Sequence, residues 1–593
     1  MTKKVTLKKG RLTQDLRDAL EHCYGSRGID GRYIDYRWRH WMEDKGIITY
    51  VAERDGNVIG RIFYRVGDST MEEVLVNNEP AGKGMETLMI DALVAKESLV
   101  SAEVLNSDGV KYRSLLNYGF RPTRFFSADG FDFVRMDLSI AEYLKKARGW
   151  RPAREYAATE RVAVEKVAAT RTHDDIKASL LGLFEDLGGL DLFVDKGDIV
   201  VVKPNVVADH GLRNGVYLGG VVTDIGLLRA LIEILLARAR KVIVAEGSSI
   251  NRAETARLFG HYGYDKLEDM APGRVTLVDL NRDKLVRKVV PAGKRMLSRE
   301  IPVTLEEADV IINVPVMKTH FAALVSLSIK NLQGVVPPLE KYMSHFFGLW
   351  QNLINIHHLV KPKLHIIDGL TAQEGFGPVY GTPKTMNLVI GGTNPVAVDA
   401  VTTRIMGFDP ALSPPVFMAH MQGLGPIEPE KIITIGAPPE DVMSPFKEAV
   451  IDLSDGEHFK VHADTACLGC KGYLHYVLYK LRRPDPANPG KLLIDRPFEK
   501  RVNLFLGPLT RAEPNPDETN LFLGTCRQHY ADRGKHLPGC PPHAEVLMKG
   551  LFSLYPDVKR PTYADESAEE KLERMLEKLL EKDSGKSPDD RRG

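Results

Sequence analysis

Five cysteines in 593 residues are too few, and too unevenly placed, for the disulfide framework of a small secreted domain. No uncharged apolar run reaches the roughly 18 residues that a membrane span needs. The start, Met1-Thr2-Lys3-Lys4-Val5-Thr6-Leu7-Lys8-Lys9, carries charge with no apolar stretch behind it, unlike a secretory signal. Charge of one sign is missing too. Lysine plus arginine (80) nearly cancels aspartate plus glutamate (79), so no strong field draws in nucleic acid or an anionic membrane. Internal repeats are absent. These absences predict a cytoplasmic chain with neither nucleic acid nor membrane as partner. Its length accommodates roughly three or four domains.

What is present divides into parts, all of mixed α/β character. Residues 1–140 read as a small α+β unit. Two β-rich runs, 47–52 and 58–66, flank the turn signal Glu53-Arg54-Asp55-Gly56-Asn57; a third, 73–76, enters the glycine loop Ala81-Gly82-Lys83-Gly84, and 85–96 has helical spacing. Residues 141–160 read as a linker. From 161 to 455, apolar strands (199–202, 242–245, 310–314, 364–367 and 387–390) alternate with helices, the pattern of a mostly parallel sheet covered on both faces. Thr223-Asp224 precedes Leu227, Leu228, Leu231, Ile232 and Leu235, a capped amphipathic helix. Residues 456–560 form a small third α/β unit with strands at 502–506 and 521–523. In the tail, 561–593, Ser567-Ala568-Glu569-Glu570 is a capping box opening a helix whose leucine stripe suits docking on the body or pairing in a homo-oligomer; residues 583–593 read as disordered.

Four of the five cysteines fall in the third unit: Cys467, Cys470, Cys526 and Cys540, spaced C-x₂-C, then 55 residues, then C-x₁₃-C. Four thiolates suit a Cys₄ zinc or a 4Fe–4S cluster, and four buried structural cysteines remain the plain alternative. Gly539-Cys540-Pro541-Pro542-His543 resembles the Pro-Gly-Cys-Pro-Pro segment of the small cluster-bearing subunits of respiratory complex I and hydrogenases, which implies the iron–sulfur cluster. Cys23 stands alone and reads as a buried apolar residue.

Polar residues follow the central strands directly. Lys203-Pro204-Asn205 follows the first, Glu246-Gly247-Ser248-Ser249 the second, Lys318-Thr319-His320 the third and Asp368-Gly369 the fourth, with Lys330-Asn331 nearby. In an open parallel sheet these ends share the edge where ligands bind. Lysines and amides there suit an anionic small molecule. Lys203, Asn205, Ser248, Lys318, Lys330, Asn331 and Asp368 are its candidate binding residues; His320 and Glu246 are candidates for moving a proton.

Two further resemblances are specific. Val201-Val202-Lys203-Pro204-Asn205, Val314-Pro315-Val316-Met317-Lys318-Thr319-His320, Ser328-Ile329-Lys330-Asn331-Leu332-Gln333-Gly334 and Asn394-Pro395-Val396-Ala397-Val398-Asp399-Ala400 resemble, in order, the family called domain of unknown function 362, over about residues 161–430. Members often carry ferredoxin-like modules, whereas here the cysteines are spread over the third unit. Residues 45–138 resemble the GNAT acyltransferases through Val76-Asn77-Asn78-Glu79-Pro80-Ala81-Gly82-Lys83-Gly84-Met85-Glu86, Asn106 and Asn117-Tyr118-Gly119-Phe120. That resemblance implies acyl-CoA pyrophosphate on Val76, Gly82, Lys83 and Gly84. The loop departs from the family pattern at Ala81 and Glu86. Leu115 occupies the position of the usual tyrosine acid, with Tyr112 one turn earlier.

Three functions follow as expectations. The first is an iron–sulfur oxidoreductase or cluster-dependent enzyme acting on an anionic small molecule, served by an electron-transfer protein. The second is an acyl-CoA N-acyltransferase with a structural metal. The third is a non-catalytic electron-transfer or assembly partner.

Overall fold

In the computed structural model, residues 5–54, 56–76, 85–96, 100–138, 159–213, 216–248, 254–289, 296 and 298–561 are described. The glycine loop with Gly82, Lys83 and Gly84, most of the 141–160 linker, Ser249, and the capping box and leucine stripe of the tail lie outside them.

The first sheet has seven strands, ordered Thr6–Gly10, Ile47–Arg54, Asn57–Arg65, Thr70–Val76, Val100–Leu105, Phe131–Leu138, Arg121–Ala128. Every pairing is antiparallel except Thr70–Val76 with Val100–Leu105. Gly56, at φ +82°, makes the turn between the second and third strands. Charge is buried here in compensated groups. Arg37 pairs with Glu72 in the interior, while Glu73 accepts from Lys111 at 2.7 Å and Arg27 at 3.2 Å. Cys23 is half-buried beside this core, and burial pushes its thiol up.

The central sheet runs Val275–Asp279, Lys241–Glu246, Ile199–Pro204, Val310–Val314, Leu364–Glu374, Thr382–Gly392, Glu160–Lys166, Ile432–Gly436. Its first five strands are parallel. Val200, Val201 and Val202 are fully buried, as a sheet covered on both faces requires. Helix Ile225–Leu236 lies on one face, with Asp224 accepting from the Gly226 N–H at 2.7 Å. One strand corrects the parallel expectation. Thr382–Gly392, which contains 387–390, is antiparallel to both neighbours. Only residues 375–381 join it to Leu364–Glu374, and a parallel crossover needs a dozen residues or more.

The third sheet is parallel throughout, in the order Phe459–His462, Val502–Leu506, Thr519–Leu523, Lys535–Leu537. Helices Leu468–Leu481 and Ala544–Phe552 bury leucines against it. Backbone bonds join this unit to the central one: the Cys540 N–H donates to the His345 carbonyl at 2.8 Å, and the Leu349 N–H donates to the Cys540 carbonyl at 2.9 Å.

Asp399 ties the Asn394-to-Ala400 motif to the lysine-bearing segment. Its buried carboxylate accepts from the Ser328 N–H at 2.8 Å and the Ile329 N–H at 3.0 Å, at the start of the short helix Ser328–Asn331. Replacing Asp399 with alanine orphans both buried donors. The expected cost is about 1–3 kcal/mol, read as a lower melting temperature in calorimetry.

Candidate functional site

A cavity of about 440 Å³ lies at the carboxyl edge of the central sheet, lined in part by Lys203, Lys318, Lys330 and Lys341. Lys203 is fully buried at the end of Ile199–Pro204. Its ammonium donates to Glu246 Oε2 and to the Pro204 carbonyl, both at 2.9 Å, and to Asn331 Oδ1 at 3.2 Å. The Val206 N–H also donates to Glu246 Oε2, at 2.9 Å, and the Gly247 N–H to Oε1 at 2.8 Å. With Oε2 filled by two donors, Glu246 acts chiefly as the counter-ion that holds Lys203. Gly334 leaves room for this pair, because a Cβ there would stand 2.1 Å from Glu246 Oε1 and 2.7 Å from Lys203 Nζ.

Lys318 donates to Asn205 Oδ1 at 2.5 Å and to the Val221 carbonyl at 2.9 Å. Burial, reinforced by the charge of Lys330, pulls Lys318 down to about 7; burial takes Lys330 to about 8 and Lys341 to about 7. The ammonium of Lys330 meets no acceptor among the described residues. His320 lines the same cavity; its Nδ1 accepts from the Ala322 N–H at 3.0 Å, which places the ring proton on Nε2. Burial holds His320 well below its ordinary value, so it is neutral. Ser248 and Asn331 also line the wall.

Asp368 is the exception among the expected residues. It is absent from the cavity wall: its carboxylate accepts from the Asp224 N–H at 2.7 Å and the Leu370 N–H at 3.1 Å, and so anchors the start of helix Ile225–Leu236. Sequence reasoning missed Lys341, His345, Tyr473 and His543, which complete the wall. Lys341 and His345 stand four apart on helix Pro338–Phe347, and that spacing on one helix face was the available signal.

All four C-terminal-unit cysteines line a second cavity, of about 350 Å³. Cys467 caps helix Leu468–Leu481 and Cys470 lies in its first turn; Cys526 sits in the turn Thr525–Tyr530, and Cys540 follows Lys535–Leu537. Cys467 makes no side-chain cap bond to its helix, and the neighbouring Cys470 thiol does most to pull Cys467 down to about 6. Gly524, at φ +88°, keeps space between sulfurs: a Cβ there would lie 3.4 Å from Cys470 Sγ and 3.7 Å from Cys526 Sγ. Among the described residues, no three His, Cys, Asp or Glu side chains gather as one metal ion requires. A tetrahedral zinc, with Zn–S near 2.3 Å, would need its sulfurs within about 4 Å of one another. The four thiols stand at separate points of one cavity wall; a 4Fe–4S cluster takes its ligands at separate corners.

The first unit closes one side of this thiol cavity with Arg113, Leu116, Tyr118, Gly119 and Arg121. Tyr112 is spent on that docking: its hydroxyl donates to the Thr465 carbonyl at 2.8 Å, and burial raises its phenol. Arg113 pairs with Glu448 at 3.0 Å. Val76, half-buried, ends its strand where the described residues stop, and burial pushes Glu86 up to about 7.

Comparison with known proteins adds family context. Residues 200–404 match the family model described as Domain of unknown function (DUF362), a stretch that holds Lys203, Glu246, Lys318, Lys330 and Asp399. A thylakoid-associated protein of Synechocystis sp. is 28% identical over 278 residues, which cover 46% of this chain and 82% of that protein. Solved structures similar to the N-terminal region include acetyltransferases. Mutant forms of the spermidine/spermine N-acetyltransferase SpeG from Vibrio cholerae show 18% identity, cover 24% of this chain and 98% of that one, and give a TM-score of 0.18. A GNAT family acetyltransferase from Elizabethkingia anophelis with acetyl-CoA bound shows 15% identity, 23% and 98% coverage, and a TM-score of 0.17. Among the described residues no helix is long and apolar enough to cross a membrane.

The cavity lysines make three predictions. An anion entering the cavity should draw protons onto Lys318, Lys330 and Lys341. Phosphate binding, followed by calorimetry in buffers of different ionisation enthalpy, should therefore take up protons near pH 8 and weaken as pH rises further. Without an anion, the unfolded chain holds lysine protons that the folded one has released, so these groups favour the folded state increasingly from about pH 7 toward 10. Replacing Lys203 with methionine strands Glu246 as a buried charge and should cost about 3–5 kcal/mol in thermal or denaturant unfolding.

Proposed function

We propose that this protein is an iron–sulfur oxidoreductase: Cys467, Cys470, Cys526 and Cys540 hold a 4Fe–4S cluster, and the lysine cavity binds an anionic small molecule. One observation carries the proposal, namely that the two cavities share a wall. On helix Leu468–Leu481, Cys470 faces the thiol cavity and Tyr473, less than one turn on, faces the lysine cavity. Cys540 and His543 divide the same way three residues apart. His345 lines the lysine cavity while its carbonyl accepts from the Cys540 N–H.

When bound, a cluster of this kind supplies or accepts single electrons. The rest belongs to the chain's own side chains. Lys318, Lys330 and Lys341 neutralise the anion in a site where burial strengthens each charge interaction. His320 presents an Nε2–H donor to it. Glu246 and Asn331 hold Lys203 in place. The first unit contributes one side of the thiol cavity, in which Cys470 is buried and Cys467, Cys526 and Cys540 are exposed. This reading favours a cluster over zinc and assigns no acyl transfer to the first unit, whose Tyr112 hydroxyl is engaged at an internal contact.

Protein prepared without oxygen should be brown and contain about four irons and four inorganic sulfides per chain. Replacing Cys470 with serine should remove most of that iron. A colourless protein holding one zinc per chain would overturn the assignment.

A further inference from the structure

The wall facing the lysines is built of rings, although lysine needs none. Phe321 follows His320 directly and stacks on Tyr476, with centroids 5.9 Å apart and planes 7° from parallel. Tyr473 meets Phe321 edge-on at 5.1 Å. Tyr380 stands 6.2 Å from Tyr476 and is 46% exposed; the Lys480 ammonium lies over both rings, at 5.7 and 5.4 Å, and adds a further cation to this side of the cavity. These rings come from three separate stretches of chain, and the fold gathers them on the wall of the cavity that Lys318 and Lys330 also line.

The two walls make unlike demands. Cations on a cavity wall attract an anion, and Lys330, half-buried there, has no acceptor of its own among the described residues. An aromatic wall cannot supply one, and a small hydrated anion would leave the rings in contact with water. A single ligand that is anionic at one end and flat and apolar along its body satisfies both walls. A volume of about 440 Å³ is suited to one such molecule.

We propose that the cavity takes a small aromatic anion, a carboxylate or phosphate ester on one flat ring system, with its head on Lys318 and Lys330 and its ring against Tyr380 and Tyr476. The proposal rests on the lysine cavity being an anion site and is independent of what the thiols hold.

Isothermal titration of the full chain with inorganic phosphate, phenyl phosphate, cyclohexyl phosphate, acetate and benzoate tests it. The expected result is that phenyl phosphate or benzoate binds about 10-fold more tightly than its ring-free counterpart, and phenyl phosphate more tightly than cyclohexyl phosphate. Whichever aromatic binds better identifies the head group. Tyr380→Ala, at a half-exposed position, should lose most of the preference for the ring while phosphate binds as before. Lys330→Met should weaken every anion. If phenyl and inorganic phosphate bind equally, the aromatic inference fails and the anion site stands. If no anion binds the unaltered protein, both fail together.

Discussion

Placing lysine ammonium groups out of water at one sheet edge is costly, and much of the central architecture offsets that cost. Lys203 is the deepest case. It is stable there because Glu246, the Pro204 carbonyl and Asn331 surround its ammonium, and because Gly334 has no side chain to intrude. Asn331 is held in turn by Asn313, whose Oδ1 accepts from its amide at 2.8 Å. Lys341 rests on the Gly247 carbonyl and on Asn281 Oδ1 at 2.8 Å. Lys330, half-buried on the same wall, has no such support among the described residues.

The third unit depends on the same edge. Helix Pro338–Phe347 sends Lys341 and His345 into the lysine cavity, and the backbone at its end is bonded to Cys540. Helix Leu468–Leu481 sends Tyr473 and Tyr476 the same way and begins at the Cys467–Cys470 pair. A shift of either helix would therefore move thiols and cavity wall together. The first unit adds a third face: Tyr112 and Arg113, on helix Gly109–Tyr118, and Arg121, at the start of strand Arg121–Ala128, meet the thiol side.

Much of the fold was legible in the residues. The uninterrupted apolar strands 199–202, 242–245 and 310–314 announced a sheet buried on both faces, and Asp224 marked the start of its helix. The antiparallel strand Thr382–Gly392 was not legible from its own apolar run, because strand direction is decided by the length of the connection before it. The site was partly readable for the same reason that ligands gather at parallel strand ends. Asp368 shows that a carboxylate after a strand can also accept backbone N–H groups where a helix start lies within reach.

The amino-acid sequence by itself determined which chemistry the protein can hold: four thiols in one region, lysines and amides after strands, and a central α/β pattern. Tertiary structure alone decided what stands beside what. Cys526 and Cys540 reach Cys467 and Cys470 only because parallel pairing of Thr519–Leu523 and Lys535–Leu537 brings their ends together. Tyr380, Tyr473 and Lys330 share a cavity although long stretches of chain separate them. Local spacing encodes neighbours one turn or one strand away, whereas contacts across such distances arise from burial of the whole apolar surface, which no short motif records.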